Sequence, residues 1–109
     1  MSQTQNLNIV PFVNVENMMD LVLSVGVDKF LLELCAYVEE DFARWESFDK
    51  TSRVASHSHD GVIELMPTSD GKLYGFKYVN GHPRNTKSGR QTVTAFGVLA
   101  DVDTDILCC

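Results

Sequence analysis

Apolar residues recur every three or four positions in the first half of the chain and every second position in the second half. Val15, Met18, Met19 and Val22 fall at helical spacing between Asn14, a good N-cap, and Gly26, a good helix stop. A longer stripe follows Asp28, a second N-cap candidate: Phe30, Leu31, Leu34, Cys35, Val38, Phe42 and Trp45 line one side, with Glu33, Glu39, Glu40 and Asp41 off it. The spacing predicts a short helix and then a long amphipathic one over residues 30–44. Its stripe reads as core or sheet-covering surface, and its acidic residues as a solvated face. Ahead of both helices, residues 9–13 form a short β-rich run, and residues 1–8 are polar and expected to be flexible.

Past Trp45 the alternation predicts strands over residues 53–57, 62–66, 73–79 and 91–101. Turn signals divide them: His59-Asp60-Gly61, Pro67-Thr68-Ser69-Asp70-Gly71, and Asn80-Gly81-His82-Pro83 with the polar residues up to Arg90. Connections this short favour antiparallel hairpins. The whole pattern predicts a single α+β domain, two amino-terminal helices packed on an antiparallel or mixed β-sheet of about four to six strands, the run 9–13 included.

Strand parity then gathers the candidate chemistry. Glu64 and Met66 point to one side of their strand, Lys77 shares a side with Gly75 and Val79, and Tyr74, Phe76 and Tyr78 form the opposite, aromatic side. A two-residue Asp70-Gly71 turn would set Glu64 directly opposite Lys77, and a register slip of two residues would still leave both charges on one face. Two readings stand side by side. The plain one is an ion pair on a wet surface, worth about 0 to 1 kcal/mol. The functional one makes Lys77 a cationic anchor for a carboxylate, Glu64 its counter-charge or proton carrier, and Arg53 a guanidinium fork for the same anion. His57, His59 and His82 lie in or beside turn-like sequence without metal-ligand spacing, so no metal site is expected. Cys35 reads as a buried inert thiol, and Cys108 with Cys109 as an exposed pair open to adventitious oxidation.

Composition narrows the classes. A net charge of −6 and the absence of a basic stripe oppose nucleic acid or anionic lipid as partners. No apolar run approaches the roughly 20 residues that span a bilayer, and the amino terminus lacks a secretory pattern, so a cytoplasmic, non-membrane protein is expected.

Two long stretches, FDKTSRVASHSHDGVIELMPTSDGKLYGFKYVNGHPRNT and QTVTAFGVLADVDT, resemble the amino-terminal, substrate-binding and dimerisation domain of the ornithine cyclodeaminase and mu-crystallin family. The resemblance covers about residues 12–104 and keeps the family's order and spacing. It implies an NAD-dependent conversion of ornithine to proline and ammonia in full-length members, with the protein supplying position and electrostatics. It assigns Arg53 and Lys77 to the substrate carboxylate, Glu64 and Met66 to the substrate pocket, and Thr92 to the nicotinamide side of the cofactor. It also implies pairing of the sheet with that of a second subunit. The sequence departs from the family at Asp105, where residues 105–109 replace the expected next strand, and no glycine-rich phosphate turn opens a helix. The expectation is therefore a truncated, dimerising remnant of the substrate-binding domain, without cofactor or catalysis of its own. The alternatives are a binding module for a cationic amino acid such as ornithine, or half of a split cyclodeaminase. A homodimer or higher homo-oligomer through the sheet and a weak amino-acid or anion ligand are the expected partners.

Overall fold

A computed structural model describes residues 9–108 of the chain, so the expectations for residues 1–8 and for Cys109 fall outside the described residues. The chain divides into two compact units, one ending at Ser47 and holding both long helices, the other, Phe48–Cys108, holding the whole sheet. The α+β class and the helix-then-sheet order follow the sequence pattern.

In the first unit, α1 spans Val15–Val25 and α2 spans Val27–Ala43. Asn14 starts α1 through a reciprocal capping box: its Oδ1 accepts from the Asn17 N–H at 2.8 Å, and the Asn17 side chain accepts from the Asn14 N–H at 3.2 Å. One residue separates the helices. Gly26 donates its N–H to the Val22 carbonyl, which closes α1, and accepts from the Phe30 N–H, which opens α2. Its φ of 91° favours glycine at such a joint. Asp28 is therefore not the cap of α2 but sits in its first turn, where a carboxylate complements the helix dipole. Neither helix contains a buried residue, so the stripe expected as core, Leu31, Leu34, Val38 and Phe42, stays exposed. Trp45 lies beyond α2 in a short 3-10 turn, its ring 5.7 Å from that of Phe42. The run 9–13 forms no strand. Pro11 removes a ladder donor in its middle, and a strand needs a neighbour to satisfy the rest.

The second unit is a five-stranded antiparallel sheet: β1 Asp49–Lys50, β2 Val54–His57, β3 Val62–Ser69, β4 Leu73–Gly81 and β5 Ala95–Asp101. The order is β1-β3-β4-β5, and β2 pairs with the same edge of β3 as β1 does. Asp49–Lys50 thus supplies the fifth strand in place of residues 9–13. Between the pairs Lys50↔Thr68 and Val54↔Leu65, residues 51–53 face only Met66 and Pro67, which is a β-bulge.

The β3–β4 hairpin turns on Gly71 and Lys72, one residue later than expected. The Asp70 N–H donates to the Leu73 carbonyl at 3.2 Å, and Asp70 Oδ1 accepts from the N–H groups of Lys72 and Leu73. Gly71, at φ 89°, takes the first central position, which needs positive φ in the primed turns that suit a twisted hairpin. Moving the turn centre by one residue moves each partner by two. Glu64 therefore pairs with Val79, and Lys77 with Met66, rather than Glu64 with Lys77. Because the slip is even, every side chain keeps its face.

On the other face of the sheet, Phe96 stacks on Tyr78 at 5.1 Å and meets Phe76 edge-on at 6.4 Å. Beyond β5 the chain turns at Asp105 and returns beside the strand, where the Asp101 N–H donates to Ile106 and the Cys108 N–H to Leu99. Ile106 and Cys108 thus pair with the sheet. Among the described residues Ala100, at this junction, is the buried one.

Candidate functional site

The face opposite the aromatic cluster carries the predicted polar residues. Ala55, Glu64 and Val79 form one cross-strand row, and Met66, Lys77 and Gly97 the next. Small residues neighbour the charged ones across the strands, Ala55 beside Glu64 and Gly97 beside Lys77.

Arg53 reaches this face from the bulge. Its Nη1 lies 3.2 Å from Glu64 Oε2 and 3.4 Å from Oε1, so one guanidinium nitrogen serves both carboxylate oxygens. Among the described residues the other N–H groups of Arg53 have no acceptor. Glu64's side chain is 21% exposed and Arg53's 59%, so solvent screens the pair and its net stabilisation is at most about 1 kcal/mol. Glu64 is thus engaged by Arg53, and not by Lys77 as the expected register implied. Lys77 is exposed and, among the described residues, has no carboxylate within ion-pair distance.

Four of the five residues singled out from the sequence, Arg53, Glu64, Met66 and Lys77, therefore share one face. Thr92 lies apart from them, before the start of β5, where its carbonyl accepts from the His82 N–H at 2.8 Å and prolongs the β4–β5 ladder. The histidines do not converge: His57 ends β2, His59 contacts Asp60 at 2.9 Å, and His82 precedes a 3-10 helix over Pro83–Ser88. Among the described residues no group of three or more potential ligands could hold a metal ion. Cys35, expected to be buried, is exposed, because the α2 stripe on which it lies is exposed. Along α2 the acidic residues do behave as a solvated face, with Lys29 near Glu33 and Arg44 bonded to Asp41.

Sequence reasoning missed one feature altogether. A concavity of about 520 Å³ opens between the β2–β3 turn and the loop that joins β4 to β5. The loop read as a polar connection, because its order comes from side-chain-to-backbone bonds that leave no periodic trace. Pro83, which suits the first turn of a helix, and Gly89, which ends it, were the available signals.

The turn that cradles dinucleotide phosphates runs from a strand through a glycine-rich loop into a helix N-terminus. Here both α-helices precede the sheet, and Gly26 joins helix to helix.

The family model for the ornithine cyclodeaminase/mu-crystallin family matches residues 15–108. The chain is 79% identical over 98 residues to an ornithine cyclodeaminase of Agrobacterium fabrum (strain C58), which covers 90% of this chain and 28% of the relative. It is 78% identical over 97 residues to an ornithine cyclodeaminase of Brucella abortus biovar 1, covering 89% of this chain and 27% of that protein. Among solved structures it resembles an archaeal alanine dehydrogenase dimer with bound NAD, with a TM-score of 0.57 and 30% identity over 62% of this chain and 22% of that one. The chain thus spans little more than a quarter of the length of the curated relatives it matches.

Proposed function

Since this chain belongs to the ornithine cyclodeaminase/mu-crystallin family, we propose that the Arg53–Glu64–Lys77 face is the substrate-binding part of an ornithine cyclodeaminase-type site. One observation carries the reading: a guanidinium tied to Glu64 by a single nitrogen stands on the same face as a lysine that has no ion-pair partner among the described residues. Lys77 and the uncommitted N–H groups of Arg53 take the carboxylate of an amino acid. Glu64 orients Arg53 and accepts from the ligand's α-ammonium. Met66, half-buried and directly opposite Lys77, gives the aliphatic part of the ligand an apolar floor. These residues bind and orient. Deamination needs a hydride acceptor, which in this family is a dinucleotide; the part proposed for these residues is to hold and orient the amino acid. Thr92 is assigned to the cofactor side of the site on the family resemblance alone.

A second reading concerns assembly: the chain self-associates through its sheet. The archaeal alanine dehydrogenase it resembles is described as a dimer, and Ile63, Leu65, Tyr74 and Phe96 are exposed on the aromatic face here. A cytoplasmic setting fits the free, exposed thiols of Cys35 and Cys108, and no helix among the described residues is long and apolar enough to cross a membrane.

Isothermal titration with L-ornithine tests the binding reading. We expect a dissociation constant on the order of millimolar, or about 4 kcal/mol, and loss of the binding heat in Lys77→Ala. Equal binding by wild type and Lys77→Ala would overturn the assignment.

A further inference from the structure

We infer that the concavity between the β2–β3 turn and the β4–β5 loop is a second binding site, one that takes a small organic anion through Arg90. None of Arg53, Glu64, Met66 and Lys77 lines it. Ser58, Val62, Ile63, Asn80, His82 and Arg90 are among its walls, with Asn85, Gln91 and Thr94 closing the loop side. Its volume, about 520 Å³, suits a metabolite rather than a solvent molecule.

The walls are built by bonds that need no ligand. The Asn80 amide donates to Thr94 Oγ1 at 2.6 Å, and its Oδ1 accepts from the Thr94 N–H at 2.9 Å. The Asn85 side chain donates to the Gln91 carbonyl at 3.0 Å, and the Arg90 N–H donates to the Asn85 carbonyl at 2.9 Å. Arg84 Nη1 also lies 3.1 Å from Asp60 Oδ2, which ties the β2–β3 turn to the 3-10 helix. Binding here therefore costs little ordering of the loop.

Inside that frame the donors are left over. Beyond a 3.4 Å contact from Nη1 to Ser88 Oγ, the Arg90 guanidinium has no acceptor among the described residues, and neither the Gln91 amide nor the His82 ring has a hydrogen-bond partner there. No carboxylate lines the cavity, and the nearby Asp60 is engaged by Arg84 and His59. In a chain of net charge −6, this is a cavity whose one charged lining residue is a cation. A guanidinium with neutral donors around it and no acid suits a carboxylate or a phosphate monoester. Val62 and Ile63 supply an apolar wall for the organic remainder.

Heteronuclear NMR titration tests this with three probes in parallel: inorganic phosphate, propionate and chloride at matched ionic strength. Saturable shifts of the amides of residues 80–94 with phosphate or propionate, absent with chloride, are expected. Which of the two binds more tightly tells a phosphate ligand from a carboxylate one. Arg90→Gln should weaken that binding by about tenfold or more, Arg90→Lys should retain part of it, and Lys77→Ala should leave it unchanged. The proposal is overturned if the shifts are non-saturable and equal for chloride, or if Arg90→Gln, its amide spectrum otherwise intact, binds as wild type does. Because the readout lies at residues 80–94, failure here leaves the ornithine-binding face untouched, and the converse holds as well.

Discussion

Replacing Glu64 by glutamine keeps the shape of the side chain and removes its charge, and it should move two ligands in opposite directions. The wild-type contact is one nitrogen of Arg53 against both carboxylate oxygens, at 3.2 and 3.4 Å, with Arg53 more than half exposed. Such a pair contributes at most about 1 kcal/mol to stability, so Glu64→Gln should lower the thermal midpoint by no more than about 4 to 8 °C. For a plain carboxylate such as propionate, Glu64 is a competitor for Arg53 and a source of repulsion. At this screened surface its removal is worth about 1 kcal/mol, or roughly a fivefold tighter association. For ornithine the same change removes the acceptor of the α-ammonium, a charge-assisted hydrogen bond worth about 1.5 to 3 kcal/mol, so binding falls by about ten- to a hundredfold. Calorimetric titration of both ligands into both proteins reads the result. If propionate and ornithine shift in the same direction, Glu64 does not stand between the guanidinium and an amine, and the proposed pose fails. A loss of more than about 3 kcal/mol in stability would instead mark the pair as structural.

Two further outcomes follow from the geometry of the sheet unit. A Cβ at Gly61 would stand 2.6 Å from the Gly81 carbonyl oxygen and 2.7 Å from His82 Nδ1, so Gly61→Ala should cost about 1 to 3 kcal/mol in urea unfolding, and wild-type stability would refute the close approach of that turn to the end of β4. Sedimentation at high micromolar concentration should show a homodimer or larger homo-oligomer that persists in Lys77→Ala, whereas a single monomeric species would refute association through the sheet.

The helices were legible because caps and apolar spacing act locally. Asn14 and Gly26 bound α1 in the sequence as they do in the structure, through bonds to residues three or four positions away. Strand parity was legible for the same reason, since the period of two puts Glu64 and Met66 on one side whatever they pair with. Register was not. Whether a hairpin turns on Asp70-Gly71 or on Gly71-Lys72 depends on which residue takes positive φ at which turn position, and a single glycine is compatible with both. Nor did composition reveal that residues 9–13 lack a partner strand or that Cys35 and the stripe around it are exposed, because both depend on surfaces far away along the chain.

How Arg53 comes to share a face with Lys77 follows from one residue that cannot donate. The Asp70 N–H bond to the Leu73 carbonyl fixes the phase of the β3–β4 ladder. Counting back along β3, Thr68 and Met66 direct their N–H groups to β4, and residue 67 directs its own position toward the β1–β2 edge. Residue 67 is proline, so that edge strand finds no donor there, and it is there that pairing lapses between Lys50 and Val54. Had β1 continued in its own register, residue 53 would have met Leu65, on the aromatic face. The extra residue of the bulge shifts the pairing by one, so that 53 falls in line with Met66 and its side chain meets Glu64. An odd slip changes the face of every residue after it, whereas the even slip at the Gly71 turn changes none. Pro67 and the bulge opposite it therefore do for Arg53 what strand parity alone does for Glu64 and Lys77. The second cation on that face, Arg53, rests on that one interruption of the ladder.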